Sequence, residues 1–159
     1  MIFLTVSVLA LSFPGCGKKE NTSDRTLRVG IVTYTQDDPF INTMTEQIRE
    51  DLKLKESKDM KILVSVKNGD NDQRDQDELV EEMIAAGCDV LCVNLVDRTA
   101  PSDIIKAARQ EKIPVIFFNR EPVKEDLMQW DQLYYVGCDA KQSGENAGRN
   151  CSRLYKESS

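Results

Sequence analysis

The chain has 159 residues, enough for one full-sized core, and its 40% apolar and 30% charged residues are the balance of a globular protein rather than a disordered or collagenous one. Its 27 acidic and 21 basic residues leave a net charge of -6, which repels a phosphate backbone and argues against a nucleic-acid partner. It contains no histidine, so mechanisms that need an imidazole as general base, metal ligand or pH switch are closed, and most hydrolase chemistry with them.

Residues 2–13 form an apolar run too short to span a bilayer and of the right length for a signal-peptide core. The run ends Phe13-Pro14-Gly15-Cys16, followed by a polar stretch, and resembles a bacterial lipobox. That resemblance implies removal of the segment that precedes Cys16, acylation of Cys16 and anchoring to a membrane on the periplasmic side. Residues 1–16 are therefore expected to be a signal peptide with a lipobox-like end, residues 17–26 a polar tether, and residues 27–159 the folded part. Gly17-Lys18 does not complete a phosphate loop, because Ser12 and Lys19 stand where that motif requires Gly and Ser or Thr.

From residue 27 onward, short β-branched runs alternate with amphipathic stretches. Strands are expected at 27–34, 61–66, 90–96, 115–118 and 133–136. Helices are expected at 40–52, with Phe40, Ile41, Met44, Ile48 and Leu52 on one face, at 75–86 with Gly87 ending it, at 102–112 and at 143–155. Nearly continuous apolar strands separated by single helices predict an α/β fold, a Rossmann-like three-layer αβα sandwich built on a parallel sheet. Cys88, Cys92, Cys138 and Cys151 contain no CxxC pair and read as buried small apolar residues rather than disulfide partners or zinc ligands.

Open parallel sheets bind ligands outside the carboxyl ends of their strands, and polar residues gather in the loops expected there. No GxGxxG follows the first strand, so a dinucleotide site has no fingerprint. Asp70, Asp72, Asp75 and Asp77 alternate like calcium ligands, but an EF-hand count from Asp70 puts Asp75 where Gly is needed; their reading is a helix start complemented by acidic residues. Asp37 and Asp38 are adjacent and so do not flank a scissile glycosidic bond, and neither a histidine nor an SxxK pair is present to activate a nucleophile. Asp38, Asn119 and Phe40 together offer a carboxylate, an amide and an aromatic face, the groups that suit a sugar's hydroxyls and its apolar ring face. Asp38 before Pro39 also reads as a helix N-cap, and Phe40 as a first-turn core residue.

The strings VTYTQDDPF (32–40), NDQRDQDE (71–78), NLVDRTAPSDIIKAAR (94–109), IPVIFFNREP (113–122) and YYVGCDAKQSG (134–144) closely resemble the D-galactose/D-glucose-binding protein family, the periplasmic components of sugar ABC importers. The resemblance implies the N-terminal lobe of a type I periplasmic binding protein and no enzymatic activity. It implies that Asp38 binds a sugar hydroxyl, Phe40 stacks on the ring and Asn119 is a further hydroxyl ligand. Asn94 and Asp97 read as loop structure beside the cleft, and Arg120 as part of its rim or closure. Galactose or glucose, a membrane-embedded ABC permease and a chemoreceptor are the implied partners. The second stacking aromatic, the remaining ligands and the family's calcium site would lie in a C-terminal lobe beyond Ser159, so no cofactor is expected in this chain. A non-binding truncated fragment and a lipid-anchored interaction domain are the alternative readings.

Overall fold

Strands rich in Val, Ile and Leu demand burial on both faces, and the computed structural model, which describes residues 25–157, supplies it. Among the described residues, β1 (Arg25–Thr33), β2 (Met60–Asn68), β3 (Val90–Val93), β4 (Val115–Phe118) and β5 (Leu133–Val136) form one sheet in the order β2-β1-β3-β4-β5. Every neighbouring pair is parallel. The chain runs outward from β1 to β2 and then returns past β1 to β3, so the strand order reverses between β1 and β3. That reversal parts the loops at the carboxyl edge and opens a crevice there.

The helices take the faces that right-handed crossovers assign them. On one face α1 (Pro39–Lys53) lays Met44, Ile48 and Leu52 against Val29, Ile31, Ile62, Cys92 and Phe118. On the other, α2 (Gln73–Ala85) and α3 (Ser102–Glu111) bring Val80, Met83, Ile104, Ile105 and Ala108 onto Val32, Leu91, Val93, Val115 and Phe117. The three-layer α/β arrangement expected from the sequence is the one observed. A short α4 (Lys124–Leu127) occupies the irregular stretch before β5, and α5 (Ala140–Glu157) follows it.

Local chemistry explains where the elements start and stop. Asp72 caps α2 by accepting the Arg74 and Asp75 N–H groups at 2.8 and 3.2 Å, so the helix begins two residues before the expected Asp75. Gly87 ends it at φ 79°, with its own N–H bonded to Ile84 and that of Cys88 to Met83. β3 stops at Val93, three residues short of the expected strand, because side chains from α2 and the β4 loop claim the main chain of residues 94–96. Arg25 and Thr26, expected at the end of the tether, instead pair with Met60 and Lys61, and the Arg25 N–H donates to Asp59 O. The signal-peptide and lipidation readings, including Cys16, lie outside the described residues.

Candidate functional site

The loop after β1 is built around Asp38. Its backbone is extended, Pro39 fixes the first helical position behind it, and its Oδ1 accepts the N–H groups of Phe40 at 2.8 Å and Ile41 at 3.3 Å. Its Oδ2 accepts the Tyr34 hydroxyl at 2.8 Å. The Tyr34 hydrogen bond holds the carboxyl below the ordinary aspartate range, helped by the two helix N–H groups and the charge of Arg120 and opposed by desolvation. The N-cap reading of Asp38 is realised. The core reading of Phe40 is not, because Ile41 takes the buried place while the Phe40 ring remains 60% exposed at the mouth of the crevice.

Asn94 ends β3 on the other side of the strand reversal. Its N–H donates to Val32 O, tying the first residue of the loop to β1. The side chain is fully buried, with Nδ2 donating to Phe118 O at 3.0 Å and, at 3.4 Å, to Asn119 Oδ1. Its Oδ1 is buried and has no partner among the described residues, an arrangement that costs about 1–3 kcal/mol. Gln76, also fully buried, reaches up from α2 to donate to Asn94 O and accept from Val96 N, both at 3.0 Å. Gln73 accepts the Asp97 N–H at 2.8 Å, and the Asp97 carboxylate accepts the Thr99 N–H and hydroxyl, bonds that hold it below the usual range.

Asn119 follows β4 in the left-handed region, at φ 61°, a conformation that asparagine tolerates better than other side-chain-bearing residues. Its N–H donates to Val136 O and its carbonyl accepts the Tyr135 hydroxyl at 3.1 Å, while its Nδ2 has no partner among the described residues. Arg120 then turns back across the crevice. Its guanidinium lies 3.7 Å from the centroid of the Tyr34 ring and donates to Leu95 O at 3.2 Å and Val96 O at 2.9 Å.

A hollow lined by Arg98, Asn119, Arg120, Glu121, Tyr135 and Asp139 opens at this edge. Asn119 lines it; Asp38 and Phe40 do not, and their link to it runs through Tyr34 and Arg120. The structure thus gathers the three expected residues at one edge but in two groups bridged by a contact that the sequence did not announce. Tyr34 escaped because it reads as the last residue of a strand; the signal was a strand-end phenol, whose hydroxyl needs a partner, four residues before a carboxylate. Asn94, expected as loop structure beside the cleft, is found in that place, with its buried amide joining the loops after β3 and β4.

One further expectation changes. Cys88 and Cys92 are buried free thiols, whereas Cys138 is exposed, because β5 ends at Val136 and the turn that follows packs under nothing. The side chain of Cys151 lies outside the described part. Asp72 spends its carboxylate on the α2 N-cap, and among the described residues no group of three or more acidic or cysteine side chains is placed to hold a metal ion.

A doubly wound parallel sheet with polar loops converging at its strand reversal is the architecture in which α/β lobes place small-molecule sites. The chain matches the periplasmic binding protein domain over residues 29–158 and belongs to that family. It is 33% identical over 129 residues to the D-galactose/methyl-galactoside binding periplasmic protein MglB of Haemophilus influenzae, covering 81% of this chain and 38% of that protein. It is 26% identical over 125 residues to the ribose import binding protein RbsB of Bacillus subtilis, covering 75% of this chain and 39% of that one. Among solved structures, a carbohydrate transporter solute binding protein from Chloroflexus aurantiacus in complex with D-glucose superposes with a TM-score of 0.56 at 28% identity, over 72% of this chain and 31% of its own. An ABC transporter solute binding protein from Clostridium phytofermentans with bound β-D-glucose gives a TM-score of 0.67 over 83% of this chain and 38% of its own; at 22% identity it bears on the fold alone. The chain spans less than half the length of each of these relatives.

Proposed function

We propose that this chain carries one wall of a periplasmic sugar-binding site and takes a monosaccharide, D-galactose or D-glucose, for an ABC import system. The observation that carries the reading is the Asp38 carboxylate standing two residues from an exposed Phe40 ring at the crevice of the sheet. An aromatic face packs on the C–H face of a pyranose while the adjacent carboxylate accepts a hydroxyl hydrogen. Asn119, exposed at the same edge, offers its Nδ2 as a donor to a sugar oxygen. The likeness to MglB supports galactose, and the D-glucose complex of the Chloroflexus relative supports glucose. Periplasmic location, lipid anchoring through Cys16 and docking on a membrane permease belong to the same proposal.

With each hydrogen bond worth roughly 1 kcal/mol net and one stacking face available, affinity for this chain alone is expected near the millimolar range. Saturation-transfer NMR with D-galactose and D-glucose tests the reading. Transfer to the sugar ring protons that falls in Phe40→Ala and in Asp38→Asn, which keeps the helix cap, is expected. Absence of transfer from both sugars, or transfer untouched by both substitutions, would overturn it.

A further inference from the structure

Two polar contacts around Asp38 carry an inference about how the site selects its ligand. A carboxylate has about four lone-pair positions, two on each oxygen. Oδ1 is filled by the N–H groups of Phe40 and Ile41, at 2.8 and 3.3 Å. Oδ2 already accepts the Tyr34 hydroxyl at 2.8 Å, so one position remains open. A phenol has a single proton, and the direction in which it donates is set by the plane of its ring. That ring is covered: the Arg120 guanidinium carbon lies over it, 3.7 Å from its centroid, and the guanidinium is itself held by the carbonyls of Leu95 and Val96. The chain of contacts from the β3 loop through Arg120 and Tyr34 to Asp38 joins the loops after β1, β3 and β4, the loops that border the strand reversal.

We propose that Tyr34 and Arg120 are positioning residues that aim Asp38 and leave it one open acceptor position on Oδ2, so that the site reads a single ligand hydroxyl there. The functional half of this statement rests on the sugar-binding reading; the positioning half does not. Lysine in place of Arg120 would carry no planar guanidinium to stack on the ring. Tyr34 sits at the junction because its ring is apolar enough to close the end of β1 and its hydroxyl long enough to reach across the turn to residue 38.

The test uses the 159-residue chain and reads Asp38 directly. In Tyr34→Phe, which keeps the ring under Arg120 and removes one proton donor, the titration midpoint of the Asp38 side-chain carbon, followed by 13C NMR, is expected to move up toward the ordinary aspartate value. That of Asp97, held by Thr99 alone, is expected to stay where it was. Arg120→Gln is expected to raise the Asp38 midpoint by a smaller amount. An Asp38 midpoint unchanged in Tyr34→Phe overturns the positioning role. In a second arm, binding of D-glucose and its monodeoxy derivatives is compared between the wild type and Tyr34→Phe. One monodeoxy sugar is expected to bind the wild type about five-fold more weakly than glucose, with that gap reduced in the variant. Equal gaps in the two proteins overturn the single-hydroxyl selection, and absence of any sugar binding alongside a shifted Asp38 midpoint overturns the sugar reading while leaving the positioning role standing.

Discussion

Cys92 lies inside the face covered by α1, where burial pushes its thiol up to about 11 from an ordinary value of 9.0. Because the folded value is the raised one, the group's contribution to stability is complete below pH 9 and is lost as pH rises toward 11. Cys88 is raised in the same direction by its burial, while Cys138 stands in the open. Brief iodoacetamide treatment of the native protein near neutral pH, mapped by mass spectrometry, is therefore expected to modify Cys138 and to spare Cys88 and Cys92 until the chain is unfolded. Modification of Cys92 in native protein at the rate of Cys138 would show that the α1 face opens far more readily than its packing implies. At this scale the sequence was legible where chemistry is local: Asp38 as a cap follows from the proline behind it, and the buried thiols from their strand-like neighbours. Tyr34 and Cys138 were not, since the role of each depends on what it meets once the chain is folded.

The elements near the site are joined by side chains that reach main-chain atoms, and Gln76 is the central case. It sits in the first turn of α2, four and seven residues before Val80 and Met83, so the helix period turns this polar side chain onto the core-facing side, where it is fully buried. Gln76→Ala would orphan the Val96 N–H and the Asn94 carbonyl together, each costing about 1–3 kcal/mol if left unbonded. The expected result is a loss of roughly 2–4 kcal/mol in urea unfolding, larger than the ~1 kcal/mol expected for removing the Asp72 cap of the same helix. A loss no greater than that of Asp72→Ala would mean that water replaces Gln76 in the loop. Helix and strand identities were readable from apolar spacing alone. The end of β3 was not, because the residues that terminate it come from Gln76 and Arg120, 18 to 25 positions away in the chain.

Among the described residues, the sheet is covered over its centre and exposed toward its two edge strands, β2 and β5. The face of β5 that carries Tyr134 and Val136 is 52% and 63% exposed, beside a half-buried Ile116, while α1 covers the equivalent face of β1 and β3. Residues 142–150 of α5 are all exposed and do not cover it. An apolar strand face at a sheet edge invites association, and charge on such a strand opposes it. Tyr134→Lys combined with Val136→Lys is expected to reduce concentration-dependent self-association, measured by light scattering, with little change in melting temperature. Unchanged scattering would place the association elsewhere. The fold class was legible from the alternation of strand and helix patterns, because that alternation has few topological solutions. Which strand face stays uncovered was not, because coverage is set by how far each helix lies over its neighbours.

Gln76 grips residues 94–96 by their main-chain atoms, so its bonds are indifferent to the side chains those residues carry. The position of the loop is thereby uncoupled from its composition. Side chains at residues 95 and 96 can therefore be exchanged without re-solving the packing that presents them.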